Sequence, residues 1–345
     1  MSNTNMKAWR LHAFDLNRLQ LDEVPVPVPG PGELLIRVGA VSLNYRDKAI
    51  IEGYYDPNIL LQGPLTLVGD VAGTVVSAGN AVTRFNVGDR VTSHLFSQWL
   101  EGVTRPDESN YLLGGPLPGG LAEYMIIPDY AAVAAPAHLS DEEAATLPIA
   151  ALTAWHALTR FGRPGKGSTV LIQGTGGVSI FAIQLASALG AEVIVTTSND
   201  EKGKKALALG ASHIINYVKT PDWDRVALEI TSGKGVDQIL EVVGGDKSIN
   251  QSVRAIKVEG LINLIGFLDK EEATINILPV IFKQARLQGS AVGHRKAFEE
   301  MNAFLAEHQE VKPVIDRVYA FEDALTAFRH LDKGAFGKIV IKVSE

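Results

Sequence analysis

Between residues 173 and 179 the chain reads Gln-Gly-Thr-Gly-Gly-Val-Ser, three glycines within four positions, and its flanks restrict the fold more than any other stretch. Upstream lies Ser168-Thr-Val-Leu-Ile-Gln173, a short β-rich run centred on Val170, Leu171 and Ile172. Downstream, Val178, Phe181, Ala182, Leu185, Ala186 and Leu189 recur at steps of three and four, which predicts a helix. Gly190 stands where a C-terminal cap glycine belongs. Glu192-Val-Ile-Val-Thr-Thr197 then reads as a second strand. Strand, glycine turn, helix and strand make a βαβ unit of about 30 residues. In that setting Gly174 permits the tight turn, and Gly176, lacking a Cβ, lets a pyrophosphate approach the backbone. Ser179 is a small substitute for the Gly or Ala that packs helix against strand. The helix start offers unpaired N–H groups to phosphate, so Gly174, Thr175, Gly176, Gly177 and Val178 are read as the dinucleotide-binding segment.

The end of the second strand bears on which dinucleotide. An NAD-binding unit usually carries Asp or Glu there for the ribose hydroxyls. Here the tip is Thr197-Ser198-Asn199. Asp200 and Glu201 come later and suit the first turn of the next helix, where acids complement the dipole. Ser198, Asn199 and Lys202 can meet a 2′-phosphate, with no acid at the tip to repel it. NADPH is therefore expected in preference to NADH. Lys204 and Lys205 read as a solvated helix face.

From Gly167 onward the chain alternates strand and helix. Further strands are expected at Ile214-Ile215, Val236–Val243, 260–265 and 286–290, the rhythm of a doubly wound parallel sheet. The first 130 residues differ. Short strands at 7–11, 34–38, 72–76 and 122–126 alternate with Gly-, Pro- and Asn-rich turns, which predicts a small all-β module. Ser140 with Glu143 forms a capping box that opens a helical stretch, continued through Thr153–Ala157. A helix over 321–331 and a strand over 337–342 close the chain.

With 345 residues, 46% of them hydrophobic, two packed domains are expected. The net charge of −7 argues against general nucleic-acid binding. The N-terminal stretch MSNTNMKAWRLHAF has no apolar core of signal-peptide length, and no apolar run is long enough to span a bilayer, so a soluble, cytoplasmic protein is expected. The cysteine count is zero, which removes disulfides, thiol catalysis and thiolate metal sites.

These features together resemble the medium-chain dehydrogenase/reductase superfamily, in its zinc-free, quinone-oxidoreductase-like branch. The resemblance rests on Val41-Ser-Leu-Asn44-Tyr-Arg-Asp47, Asp70-Val-Ala-Gly73, Asn86-Val-Gly88-Asp89, Gly119-Gly120-Leu-Ala-Glu123, Leu147-Pro148, Thr153-Ala-Trp155, the glycine turn and Phe336-Gly-Lys338-Ile-Val-Ile. It implies an α/β fold: a GroES-like all-β catalytic domain over 1–149 and 293–345, and a Rossmann domain over 150–292. Zinc-dependent members hold their metal with Cys, His and Cys. The matching positions here are Asn44, Gly69 and Ile149, of which two cannot ligate through a side chain, so no zinc is expected. His94 is the only histidine of residues 93–120, where some members carry a second zinc.

Without a metal, hydride transfer to a carbonyl compound needs another group to stabilise the substrate oxygen. Tyr55, in Gly53-Tyr-Tyr55, resembles the proton-donating Tyr of enoyl thioester reductases; it is read either as that donor or as an aromatic cleft wall. Asn44 is the second candidate, its amide binding the substrate oxygen or the nicotinamide ribose, and Tyr45 is read as lining the substrate cleft. Asp70 is either structural or catalytic. The resemblance also implies Thr153 against a nicotinamide face, Val243 and Gly244 at its ribose, and backbone contacts from Phe267 and Ser290 to the carboxamide. Tyr217 is implied near the adenosine phosphate, and Lys338 at the cofactor phosphates. The expected activity is NADPH-dependent reduction of a quinone, an enone or another activated carbonyl. Alcohol or aldehyde oxidoreduction, 2-enoyl thioester reduction, and NADPH binding without turnover are the alternatives. A homodimer or tetramer is expected, pairing through the edge strand near 286–290.

Overall fold

Val170, Leu171 and Ile172 are fully buried, as a strand covered on both faces of a sheet must be. The computed structural model describes residues 4–269 and 272–344. In it Thr169–Gln173 lies inside a six-stranded parallel sheet. The strands run in the order His213–Asn216, Glu192–Thr197, Thr169–Gln173, Val236–Glu241, Ile256–Leu264 and Arg286–Gly289. This is the doubly wound order, in which the direction of winding reverses between Thr169–Gln173 and Val236–Glu241. Leu171, Ile194, Ile215, Trp223, Ile239 and Ile262 build its core. Gly177–Ala188 is the helix that follows the glycine turn; it is buried over most of its length, and Gly190 adopts a φ of 89° just beyond it.

The chain forms two compact units. One comprises Met1–Leu152, Val292–Glu307 and Pro313–Glu345, the other Thr153–Ala291 with His308–Lys312. The five-residue return at His308–Lys312 was not expected from sequence. Its cause is a reciprocal pair: Gln184 Nε2 donates to the Lys312 carbonyl at 2.9 Å, and the Lys312 N–H donates to Gln184 Oε1 at 3.0 Å.

The first unit is mainly β, as expected. Its larger sheet carries the order Ile315–Ala320, Lys338–Lys342, Glu33–Ser42, Asp70–Ala78, Arg90–Ser93 and Ala132–Ala134, with Tyr124–Pro128 also on Glu33–Ser42. A three-stranded sheet holds Asn5–Leu11 between Leu19–Pro25 and Leu65–Thr66. The strand expected at 122–126 starts two residues later because Ala122 bridges to Ala8 and the Glu123 N–H donates to Lys7 O, both toward the smaller sheet. The capping box is present: the Glu143 N–H donates to Ser140 Oγ at 3.2 Å, and the Ser140 N–H to Glu143 Oε2 at 2.9 Å. The helix Tyr45–Ile51 was not anticipated; seven residues, five of them buried, give no readable amphipathic period. Among the described residues no helix is long and apolar enough to cross a membrane.

Candidate functional sites of the two units

The glycine turn is shaped to receive a pyrophosphate. Gly174 has a φ of 73°, the left-handed region, and its N–H donates to Thr196 O at 2.8 Å. A Cβ placed on Gly176 would meet no atom within 4 Å, so the backbone there is open to a ligand. Ser179 is buried and its hydroxyl donates to Gln173 O at 2.7 Å, tying the helix to the strand end. A nicotinamide dinucleotide therefore fits the residues present at this turn.

At the next strand tip, Thr197 is buried, and Ser198 and Asn199 are exposed. Asn199 Oδ1 caps the helix Asp200–Ala208 by accepting from the N–H groups of Glu201 and Lys202. Its amide nitrogen remains the group with donors to offer. The neighbouring acid, Asp200, is paired with Lys219 and accepts from Asn216 at 2.6 Å; those hydrogen bonds hold its carboxyl below the usual range. Lys204 pairs with Glu201, as a surface helix lysine does. Tyr217 is 42% exposed, and its N–H donates to Thr197 O. Thr153 is buried. Val243 and Gly244 follow the strand Val236–Glu241 and are half-buried, as is Phe267. Ser290 is buried; its N–H already donates to Leu264 O, and its hydroxyl accepts from Asn263 Nδ2 at 2.9 Å.

The first unit gathers a second cluster at three strand ends. Lys338–Lys342 runs antiparallel to Glu33–Ser42, with Val340 opposite Ser42. Continuing that register sets Lys338 against Asn44. On the other side Ser42 is opposite Asp70. Lys338 Nζ donates to Leu43 O at 2.8 Å and to Asn44 Oδ1 at 2.6 Å, and lies 3.4 Å from Asp70 Oδ2. Asn44 Nδ2 donates to Asp70 Oδ2 at 2.7 Å and to Ser42 O at 3.3 Å. Asp47, in the helix that follows, accepts from the Asn44 N–H at 2.8 Å. Lys338, Asp70 and Asp47 are all buried. Burial pushes the Asp70 carboxyl up to about 6 against the opposing pull of Lys338; it raises Asp47 and lowers Lys338.

This geometry bears on two sequence expectations, those for Lys338 and Asn44. Lys338 is turned onto Leu43, Asn44 and Asp70, and its three near partners are protein oxygens. The cause is the register, which ends its strand beside Asp70. For Asn44, both amide hydrogens are taken up by Asp70 and Ser42. A donor to a substrate oxygen is therefore not available from it. Its Oδ1 accepts from Lys338 Nζ, and in the capping box of the helix Tyr45–Ile51 the Asn44 side chain also faces the Asp47 N–H.

Tyr55 is 40% exposed, with the Arg46 guanidinium carbon 5.2 Å from its ring centroid. Arg46 itself is buried and donates to Leu113 O and Gly115 O at 3.1 and 3.0 Å. Arg46 carries no signal of its own in the sequence, because its partners Leu113 and Gly115 lie far along the chain. Tyr45 opens the short helix and is partly exposed.

The three positions that match zinc ligands do not fit the metal. A Cβ on Gly69 would stand 2.6 Å from Leu95 Cδ1 and 2.7 Å from Leu113 O, so no ligating side chain has room without rearrangement. Ile149 is apolar and buried, and the Asn44 amide is occupied. Among the described residues no group of three His, Cys, Asp or Glu side chains is gathered to hold a metal ion. His94 is buried, bonds Gly293 O through Nε2 at 2.9 Å, and is lowered to about 4 by burial.

Comparison with known proteins decides the family. Residues 30–137 match the alcohol dehydrogenase GroES-like domain, and residues 177–307 the zinc-binding dehydrogenase domain. A zinc-type alcohol dehydrogenase-like protein of Schizosaccharomyces pombe is 39% identical over 96% of this chain and 97% of its own. The chain belongs to the medium-chain dehydrogenase/reductase superfamily. A solved structure from Sinorhizobium meliloti 1021, assigned as an alcohol dehydrogenase, superposes with a TM-score of 0.93 at 41% identity, covering 99% and 100% of the two chains. The quinone oxidoreductase of Pongo abelii is 29% identical over 97% of each chain. A 2-octenoyl-CoA carboxylase reductase, solved with NADP and 2-octenoyl-CoA, has a TM-score of 0.87 at 25% identity, over 99% of this chain and 88% of its own. This medium-chain dehydrogenase/reductase is accordingly an NAD(P)H-dependent oxidoreductase, with a GroES-like domain and a Rossmann-type parallel sheet.

Proposed function

We propose that the protein is an NADPH-dependent, zinc-independent reductase of conjugated carbonyl compounds, quinones or enones. The observation that carries this reading is the set Asn44, Gly69 and Ile149: one amide with both hydrogens taken, one glycine with no room for a side chain, and one alkyl group. Such positions cannot polarise a substrate oxygen strongly. A substrate already activated by conjugation needs less help, and a neutral donor suffices for its developing enolate.

When bound, the nicotinamide supplies hydride. The chain's own part begins with the turn Gly174–Val178, whose open backbone and helix start would hold the pyrophosphate. Ser198, the Asn199 amide nitrogen and Lys202 would meet a 2′-phosphate, and the neighbouring Asp200 is ion-paired with Lys219. Thr153, Val243, Gly244, Phe267 and Ser290 would bound the nicotinamide half. Tyr217 would lie by the adenosine phosphate. Tyr55 would donate its phenolic proton to the substrate oxygen, and Tyr45 would line the substrate site. The Arg46 guanidinium, 5.2 Å from the Tyr55 ring centroid, packs over that ring and would help to orient it. We also propose a homodimer, or a dimer of dimers, joined along the edge strand Arg286–Gly289.

The test is steady-state turnover on a panel of quinones, enones, 2-enoyl thioesters and simple aldehydes, with parent enzyme and Tyr55→Phe. The reading expects conjugated substrates to dominate, and the variant to lose about 100-fold in kcat with the KM for NADPH unchanged. Preference for simple aldehydes would overturn the substrate assignment, and full activity of Tyr55→Phe would reduce Tyr55 to a wall of the site. NADPH binding without turnover on any member would leave a binding protein.

A further inference from the structure

Glu241 ends the strand Val236–Glu241 and is 1% exposed, yet five neutral donors converge on its carboxylate. Oε1 accepts from the Ser248 hydroxyl at 2.7 Å and from the N–H groups of Val243 and Gly244, each at 3.2 Å. Oε2 accepts from Gln173 Nε2 at 2.7 Å and from the Ser252 hydroxyl at 2.5 Å. Gln173 also accepts the Val242 N–H on Oε1 at 3.2 Å. Three successive backbone N–H groups, 242 to 244, are thus drawn onto two side chains, with the carboxylate acting as the anion of a backbone nest.

The position of this network matters. Leu240 pairs with Ile172, so the same register sets Glu241 beside Gln173 across the two strands where the winding reverses. Gln173 directly precedes Gly174, and its carbonyl holds Ser179. One polar link therefore joins the pyrophosphate turn to the 242–244 loop. Ligands of open α/β sheets sit at the carboxyl ends of strands at this reversal.

We propose that Glu241 is a positioning residue for the nicotinamide half of the cofactor, and that Gln173 couples it to the pyrophosphate turn. The carboxylate does not touch the cofactor; it fixes the backbone of Val243 and Gly244. The proposal rests on the reading above that those two residues meet the nicotinamide ribose.

The experiment is calorimetric titration with NADPH and with adenosine 2′,5′-bisphosphate, which keeps the adenosine half and lacks both the nicotinamide and its ribose. Parent, Glu241→Gln, Ser248→Ala and the swap Glu241→Gln/Gln173→Glu are compared. In Glu241→Gln the new amide nitrogen must face either Gln173 Nε2 or the N–H groups of Val243 and Gly244, so one arm of the network must open. NADPH should weaken about tenfold while the fragment changes less than about twofold. The swap restores one donor and one acceptor and should recover most of the NADPH affinity. Ser248→Ala removes a single donor from Oε1 and should show a smaller loss of the same kind, even if Glu241→Gln fails to fold. Equal losses for NADPH and the fragment, or no loss for either, would overturn the proposal. A parent enzyme that binds neither compound would overturn the cofactor reading first, and a parent that binds both leaves the variants to judge Glu241.

Discussion

Lys338→Met gives the sharpest test of the buried cluster. The methionine has similar length and no charge, so it leaves Asp70 buried without its ammonium partner. Removing one member of a buried pair costs about 3–5 kcal/mol when the other must stay charged. Asp70 can escape part of that cost by taking a proton. Burial already raises it to about 6, and Lys338 is the strongest influence pulling it down. In the variant its pKa must lie higher still. A folded-state pKa above the unfolded value near 3.8 means that the folded state binds the proton more tightly. Stability then falls as pH rises between the two values, by at most about 1.4 kcal/mol per unit. In the parent that fall ends at about 6; in the variant it continues further. Asp47, also buried and raised, contributes with the same sign. Near about pH 5 both proteins hold Asp70 protonated, and the substitution costs only the lost donors to Leu43 O and Asn44 Oδ1, about 1–3 kcal/mol. Near about pH 8 the cost approaches the full 3–5 kcal/mol, roughly 10 °C in melting temperature for a chain of this size. Circular dichroism melts of parent, Lys338→Met, Asp70→Asn and the double variant at both pH values measure this. The double variant should melt closer to the parent than Lys338→Met does near pH 8. A cost independent of pH, or a double variant with the summed losses of the singles, would refute the reasoning.

Three further outcomes are expected. Lys202→Ala should weaken NADPH about tenfold and leave NADH nearly unchanged, while Thr197→Asp should shift preference toward NADH; fluorescence titration decides, and equal losses for both cofactors would make Lys202 structural. Elemental analysis after mild dialysis should find well below one zinc per chain; a full equivalent, with activity lost to a chelator, would contradict the misfit at Gly69. Light scattering at micromolar concentration should report a dimer or tetramer, and a monomer mass would rule out pairing through Arg286–Gly289.

The parallel sheet and its glycine turn were legible in sequence because their signals are local. A strand buried on both faces is an unbroken apolar run, a helix repeats every three to four residues, and a turn needing φ above zero calls for glycine at one position, as at Gly174. The capping box of Ser140 and Glu143 is local for the same reason, its two members lying three positions apart. What the sequence could not display is which side chains share a buried site once distant strands align. Lys338 reads as a basic residue at a strand end, suited to a phosphate. Only the antiparallel register, with Val340 opposite Ser42 and Ser42 opposite Asp70, turns its ammonium onto Asn44 and Asp70. The same pairing takes both amide hydrogens of Asn44, so a residue that looked like a donor became an acceptor. Glu241 and Gln173 lie 68 positions apart and meet because their strands are neighbours at the reversal of winding. Local propensity is written in neighbouring residues, whereas the charge state and hydrogen-bonding capacity of a buried group depend on partners that only the tertiary fold delivers.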